Sequence, residues 1–205
     1  MCEASGVGPL VTNKGTIAAP GGVVLLTAQA AKGVLDNVIN TSGIVEATSA
    51  ATVDGKIVLS AAGGGTTVSG LVDASGKGAG ETGGTVEVLG DSVTLAAGAR
   101  IDVSGSAGGG TALVGGNFHG QGPLPNAATA TVAAGTIIDA DAVVSGNGGQ
   151  VAVWSEDATT VAGSITARGG TAGGNGGYVE TSGGSLTIAG ANVSTAAPAG
   201  VAGTW

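Results

Sequence analysis

Aromatic side chains are nearly missing from this sequence: two Trp, one Tyr and one Phe among 205 residues. Rings supply much of the volume of an ordinary core, so any interior built here must be narrow. Charge is scarce as well. Charged residues make up 10% of the chain, with six Lys and Arg against fourteen Asp and Glu, for a net charge of −8. Nucleic-acid binding needs a concentrated basic patch, which six scattered cations do not supply. The acidic balance also disfavours anionic lipid surfaces. The single cysteine, Cys2, has no partner for an internal disulfide, and cysteine avoidance fits an exported chain. No apolar run approaches the ~18 residues of a membrane helix, so membrane insertion is not expected. No charged n-region followed by an apolar h-region opens the chain. Residues 1–205 therefore read as a single segment of a longer protein, with Met1 placed as a start within it.

What is plentiful is glycine, 43 residues of it. Glycine costs roughly 1 kcal/mol per helical position relative to alanine, which excludes long helices from nearly every window. Between the glycines, Val, Ile, Leu and Thr recur with a period of two, the spacing of a strand with one buried face. Gly148 to Arg168 holds three such beats: Val151 to Val153, Thr159 to Val161 and Ile165 to Ala167. The same unit recurs at Val86, Val93 and Ile101, and again at Val179, Leu186 and Val193. A repeating unit of three short strands predicts an all-β solenoid, a parallel β-helix of about six rungs.

The opening glycines, Gly22, Gly55, Gly84, Gly110, Gly149 and Gly177, are spaced by 33, 29, 26, 39 and 28 residues. The surplus falls in an excursion at 32–36 and in a loop at 115–129, which is expected to protrude and to be stiffened by Pro123 and Pro125. The pattern places Val24, Leu26, Ile57, Leu59, Val86, Val88, Ala112, Val114, Val151, Val153, Val179 and Thr181 inward on the first side. Val68, Val93, Leu95, Val132, Val161, Leu186 and Ile188 follow on the second, with Val72, Ile101, Val103, Ile138, Ile165 and Val193 on the third. Asn147 with Gly149 and Asn175 with Gly177 occupy equivalent corners, where both residue types are expected to supply left-handed backbone.

Few residues point to chemistry. Asp73, Asp102 and Asp139 fall at equivalent outward positions on successive rungs. Such a ladder is either a solvated polar face, a weak Ca²⁺ site, or the acid and base of a polysaccharide-cleaving enzyme. Glu87 and Glu180 also point outward but are separated by Leu113 and Ala152. Asp141 and Arg168 match across one rung and predict an ion pair that sets register. His119, the one histidine, stands beside Phe118 in the 115–129 loop; these two are the candidate loop-binding residues. With no second His and no paired Cys, neither a zinc site nor a triad is framed, and no cofactor or resident metal is expected. Trp154, Tyr178 and Phe118 offer a sugar-stacking platform, although Trp154 fits better at a corner covering the edge of the core.

Three blocks then stand out together: residues 115–126 (GGNFHGQGPLPN), residues 146–155 (GNGGQVAVWS), and Ala167-Arg-Gly-Gly170 leading to residues 174–182 (GNGGYVETS). In order and spacing they resemble the repetitive region of filamentous-haemagglutinin-like exoproteins, the passengers of two-partner secretion in Gram-negative bacteria. Gly203-Thr-Trp205 is similar to that family's end-of-repeat block. The resemblance covers about residues 84–205. It implies a right-handed parallel β-helix, export of the full-length protein through an outer-membrane β-barrel partner, and a secreted or surface location with a role in adhesion. The family's amino-terminal secretion domain, which engages the transporter, has no counterpart in this sequence, so direct transporter binding by this segment is not expected, and the resemblance identifies no receptor. The expectation is a non-catalytic rod or stalk of a secreted adhesin. The alternatives are a carbohydrate-active β-helix using the Asp ladder and the stalk of a contact-dependent toxin. Open strand edges at the two ends predict end-to-end self-association.

Overall fold

The structure, a computed structural model, describes residues 8–30, 37–50 and 54–205. Cys2 and the 32–36 excursion lie outside the described residues. The strands are β1 (Val11–Asn13), β2 (Thr16–Ala18), β3 (Val23–Gln29), β4 (Asn37–Thr41), β5 (Ile44–Glu46), β6 (Lys56–Val68), β7 (Leu71–Asp73) and β8 (Thr85–Leu95). There follow β9 (Arg100–Asp102), β10 (Thr111–Val114), β11 (Thr129–Val132), β12 (Ile137–Asp139), β13 (Gln150–Val161), β14 (Ser164–Thr166), β15 (Tyr178–Ile188) and β16 (Asn192–Ser194). Every strand pair is parallel, and the strands stack into a nine-stranded and a seven-stranded sheet that wind a solenoid of about six turns.

Register follows the hydrophobic pattern. On the first side Val24, Ile57, Val86, Ala112, Val151 and Val179 form one column, and each is 5% exposed or less. On the third side Ile17, Val45, Val72, Ile101, Ile138, Ile165 and Val193 stack likewise. A slip of one residue would turn every member of a column to the solvent, so the buried face dictates the pairing. Among the described residues, thin branched chains stacked on their like fill the interior without an aromatic ring, which fits the shortage of aromatics.

Three features differ from the sequence reading. In four rungs the first and second beats do not form separate strands. In β6, β8, β13 and β15 the chain runs through the corner as one bent strand, with register shifts at Ala61/Gly65 and Ser155/Ala158. Bulges at these corners leave carbonyls without ladder partners, and inward threonines satisfy them: Thr66 Oγ1 donates to Leu89 O at 2.7 Å and Thr159 Oγ1 to Ser182 O at 2.8 Å. Secondly, β4 supplies a second side that the pattern concealed, since Asn37 and Asn40 mask the alternation of Ile39 and Thr41. Thirdly, Leu186 and Ile188, placed in the core by pattern, are 44% and 41% exposed, and Leu26 and Val193 are only partly buried. Among the described residues no strand pairs above the second half of β15.

The glycines divide by cause. Between the second and third sides, Ala99 N bonds Ala96 O and Thr136 N bonds Ala133 O, tight turns whose third residues, Gly98 and Gly135, have φ of +85° and +81°. Those need glycine for its backbone. Gly149, Gly177, Asn147 and Asn175 were expected to be left-handed for the same reason, but none has positive φ; the left-handed residue beside each Asn is Gly146 or Gly174. At Gly149 and Gly177 the constraint is proximity. A Cβ there would stand 2.1 Å from Gly110 O and 1.9 Å from Gly149 O, because successive rungs touch backbone to backbone.

Candidate functional site

Asp73, Asp102 and Asp139 end β7, β9 and β12 and stand in register with one another. They do not form the expected solvated face, since Asp73 and Asp102 are 4% and 5% exposed. Each carboxylate first caps its own corner: Oδ1 accepts the amide two residues on, from Ser75 at 2.9 Å, Ser104 at 3.0 Å and Asp141 at 3.2 Å. This is the local bond by which aspartate starts a turn. The second oxygens face cations. Lys77 Nζ lies 3.1 Å from Asp73 and 3.9 Å from Asp102, and Arg100 Nη2 lies 3.2 Å from Asp102 and 2.9 Å from Asp139. Asp141 accepts the Arg168 amide at 2.7 Å and Nε at 2.8 Å, a two-point clamp across one rung.

The result is an alternating row, Asp73, Lys77, Asp102, Arg100, Asp139, running along the solenoid axis. Burial pushes the Asp73 carboxyl up, but bonds from Ser75 and the Lys77 ammonium outweigh it and hold the group below its ordinary range. Asp139 is held above its ordinary range, first by burial and then by the charge of Asp141. Lys77 and Arg100 lose some preference for charge through burial but gain more from their carboxylates, and both are raised. The cleft beside the row is lined by Asp139, Asp141, Val143, Arg168, Thr171 and Pro198, with no aromatic side chain on its walls. Chemically, the row satisfies its own carboxylates: their oxygens point at amides and cations of the same corner.

The 115–129 loop leaves the solenoid where neighbouring rungs pass straight through the corner. Ala127 N returns to Gly115 O at 2.6 Å and closes its base. The loop lies across the outward face of the first side. Asn117 Oδ1 caps a single 3-10 turn at Phe118–Gly120, in which His119 has φ of +56°. His119 N donates to both oxygens of Glu180 at 3.1 Å, and Phe118 packs against Tyr178 at 5.4 Å between ring centres. Gly120 sits on the Trp154 ring so closely that a Cβ would come within 2.4 Å of it. Beneath this strap the outward residues Leu113 and Ala152 are 6% and 0% exposed, and Glu180 is 8% exposed. Glu87, outward as expected, is covered and paired with Lys56 at 2.6 Å. Phe118, Trp154 and Tyr178 thus hold a loop to a sheet and do not form an open platform, and the Trp154 ring lies under Gly116 and Gly120 of the loop. His119 Nδ1 lies 3.5 Å from Glu180.

At the remaining corner Asn147 Oδ1 accepts from Asn175 N at 2.8 Å, and Asn175 Oδ1 accepts from Val201 N at 3.0 Å. The closing block joins the same stack: Thr204 bridges to Tyr178, and the Trp205 indole donates to Thr181 Oγ1 at 2.9 Å. Sequence reading missed the capping role of the Asp row. Its signal was present as Asp-Ala-Ser75, Asp-Val-Ser104 and Asp-Ala-Asp141, an aspartate followed two residues later by another polar residue at the ends of β7, β9 and β12.

A solved structure similar to this chain is the HMW1 secretion domain from Haemophilus influenzae. The two share 31% sequence identity and a TM-score of 0.76, over 93% of this chain and 48% of that one. This chain therefore spans about half the length of the solved one. The likeness is to a secretion domain, which corrects the sequence expectation that this chain holds no counterpart of one and resembles the repetitive region instead. No protein-family profile matches the chain, and no curated protein matches it. Among the described residues no helix is long and apolar enough to cross a membrane.

Proposed function

We propose that this chain is a non-catalytic solenoid segment of a secreted bacterial exoprotein of the two-partner type. On this reading it is a rigid adhesin rod whose export partner is an outer-membrane transporter. The observation that carries the reading is the likeness to the HMW1 secretion domain over 93% of the chain, in fold and in 31% of residues. The motifs at 115–126, 146–155 and 174–182 support it independently. The non-catalytic part rests on the Asp row, whose oxygens are engaged by Ser75, Ser104, Lys77 and Arg100. The rod part rests on a core that repeats the same columns from β3 to β15.

The test is export. The chain is expressed behind a secretion signal in a Gram-negative host, with and without its cognate outer-membrane transporter. Folded chain should appear in the medium only when the transporter is present. Release that ignores the transporter would overturn the assignment. Cleavage of acidic or neutral polysaccharides by the purified chain, abolished by Asp102→Ala, would replace the rod with an enzyme.

A further inference from the structure

Asn147-Gly148 and Asn175-Gly176 are the two Asn-Gly pairs of the chain, and they occupy the same corner on consecutive rungs. The corner requires both residues. Asn supplies the Oδ1 that accepts an amide of the next rung, and Gly is obligatory because a Cβ at 148 or 176 would stand 2.1 Å from Ala167 O or 1.9 Å from Thr195 O. The fold thereby imposes, on an exposed edge, the dipeptide whose second nitrogen is least hindered from attacking the preceding side chain.

We propose that these two corners are latent sites of self-modification, silenced by the rung stacked above each and switched on when that rung opens. In the reaction the Gly nitrogen loses its proton and forms a bond to Asn Cγ. The Cγ–Nδ2 bond breaks, ammonia leaves, and a cyclic imide results. Water then opens the ring to aspartate or, through the other carbonyl, to isoaspartate, with no oxidant or reductant involved. In the stacked solenoid both reacting groups are held. Gly148 N donates to Asn175 O at 2.8 Å and Gly176 N to Val201 O at 2.8 Å, while the two Asn Oδ1 atoms accept from Asn175 N and Val201 N. Attack needs the nitrogen free and Cγ swung onto it, so each pair reacts only while its ladder bonds are broken.

The two locks differ in what holds them. Asn147 is locked by β15's rung, which carries a full set of ladder bonds along β13. Asn175 is locked by residues 201–204, which hold on through bonds at Val201, Gly203 and Thr204 and one isolated bridge but form no strand. The two sites therefore report openings of different depth. An isoaspartate adds a backbone atom to a corner that has no spare space, so an opened rung that reacts cannot restack as before.

The experiment is peptide mapping by mass spectrometry after incubation of the intact chain at mildly alkaline pH, folded and in urea. In urea both pairs convert at similar rates. In the folded chain both slow by more than about tenfold, the factor given by a local opening free energy of roughly 1.4 kcal/mol, and Asn147 slows more than Asn175. Val201→Pro removes the amide that holds Asn175 Oδ1; it should accelerate conversion at Asn175 and leave Asn147 as it was. Acceleration at both sites would show that the variant has lost the whole stack. In that case hydrogen exchange of the Gly148 and Gly176 amides in the parent decides, since each conversion rate must follow its own amide's exchange. Equal rates in the folded and unfolded chain, or conversion rates that do not follow exchange, would overturn the proposal.

Discussion

Replacing one glycine at a time separates the two reasons for glycine in this solenoid. Gly177→Ala places a methyl 1.9 Å from Gly149 O and 2.7 Å from Gly148 C, where real Cβ contacts essentially never fall below 3.0 Å. Clearing the oxygen requires the rung to lift by about 1.1 Å. That strains two bonds at once, Gly177 N to Ala167 O at 2.7 Å and Tyr178 N to Gly149 O at 3.0 Å. A buried backbone group left unpaired costs about 1–3 kcal/mol, so the substitution should cost about 2–6 kcal/mol. Gly98→Ala meets no atom within 4 Å but keeps φ of +85°; it should cost about 1–2 kcal/mol, the strain of a left-handed Cβ. Gly15→Ala has open space and ordinary φ, and should gain up to about 1 kcal/mol by restricting the unfolded chain. Urea unfolding followed by far-UV circular dichroism ranks the three. Solenoids open rung by rung, so hydrogen exchange at the Tyr178 and Thr204 amides should localise the damage. If Gly177→Ala proves less harmful than Gly98→Ala, backbone contact between rungs is not what selects glycine there.

The Asp row predicts opposite responses from two chemically identical substitutions. Asp73 is held below its ordinary range, so its stabilisation is present above the unfolded carboxyl's pKa and is lost as pH falls through the lower folded value; Asp73→Asn should destabilise at pH 7 by about 1–3 kcal/mol and flatten the acid limb of stability against pH. Asp139 is held above its range, so its contribution is present at low pH and lost as pH rises through the folded value. Asp139→Asn should therefore be neutral or stabilising at pH 7, and a loss as large as that of Asp73→Asn would refute the ordering. Trp154→Ala removes the surface on which Gly120 rests; limited proteolysis should then cut at the exposed 121–125 tip faster than in the parent, with the core columns intact by circular dichroism. Arg168→Met leaves the buried Asp141 with only a backbone partner, and should cost about 1–3 kcal/mol, more than an ordinary exposed ion pair.

The winding of this chain was legible because its interior uses one kind of signal throughout. Val86, Val151 and Val179 share a column, and so do Ile101, Ile138 and Ile165, and alternation with glycine punctuation places them there without reference to any fold. Failures came where a second cause overlay the first. In β4 two asparagines share the strand with Ile39, so a pattern of apolar alternation passes over it. At Leu186 and Ile188 the alternation was read correctly as a face, but burial needs a covering layer, which a strand's own sequence does not describe. Glycine is ambiguous in sequence because left-handed backbone and close approach leave the same letter; Gly98 and Gly177 become distinguishable only when φ and the nearest oxygen are known.

The candidate site was half legible for a related reason. Equivalent spacing brought Asp73, Asp102 and Asp139 into line, but spacing says nothing of which way a carboxylate turns. An aspartate at a strand end can face water, a ligand or the amide two residues on, and the third option wins here because the corner would otherwise carry an unpaired N–H. Once Oδ1 is turned inward, the carboxylate is drawn out of solvent and demands a cation, and Lys77 and Arg100 answer from the same corner. Of the six cations in the chain, Lys56, Lys77, Arg100 and Arg168 all stand against buried carboxylates. The net charge of −8 is thus carried mostly by the remaining surface, while the row that resembled a reactive centre sets two cations against its three carboxylates. A ligand that sought those aspartates would first have to displace the cations that the turns themselves require.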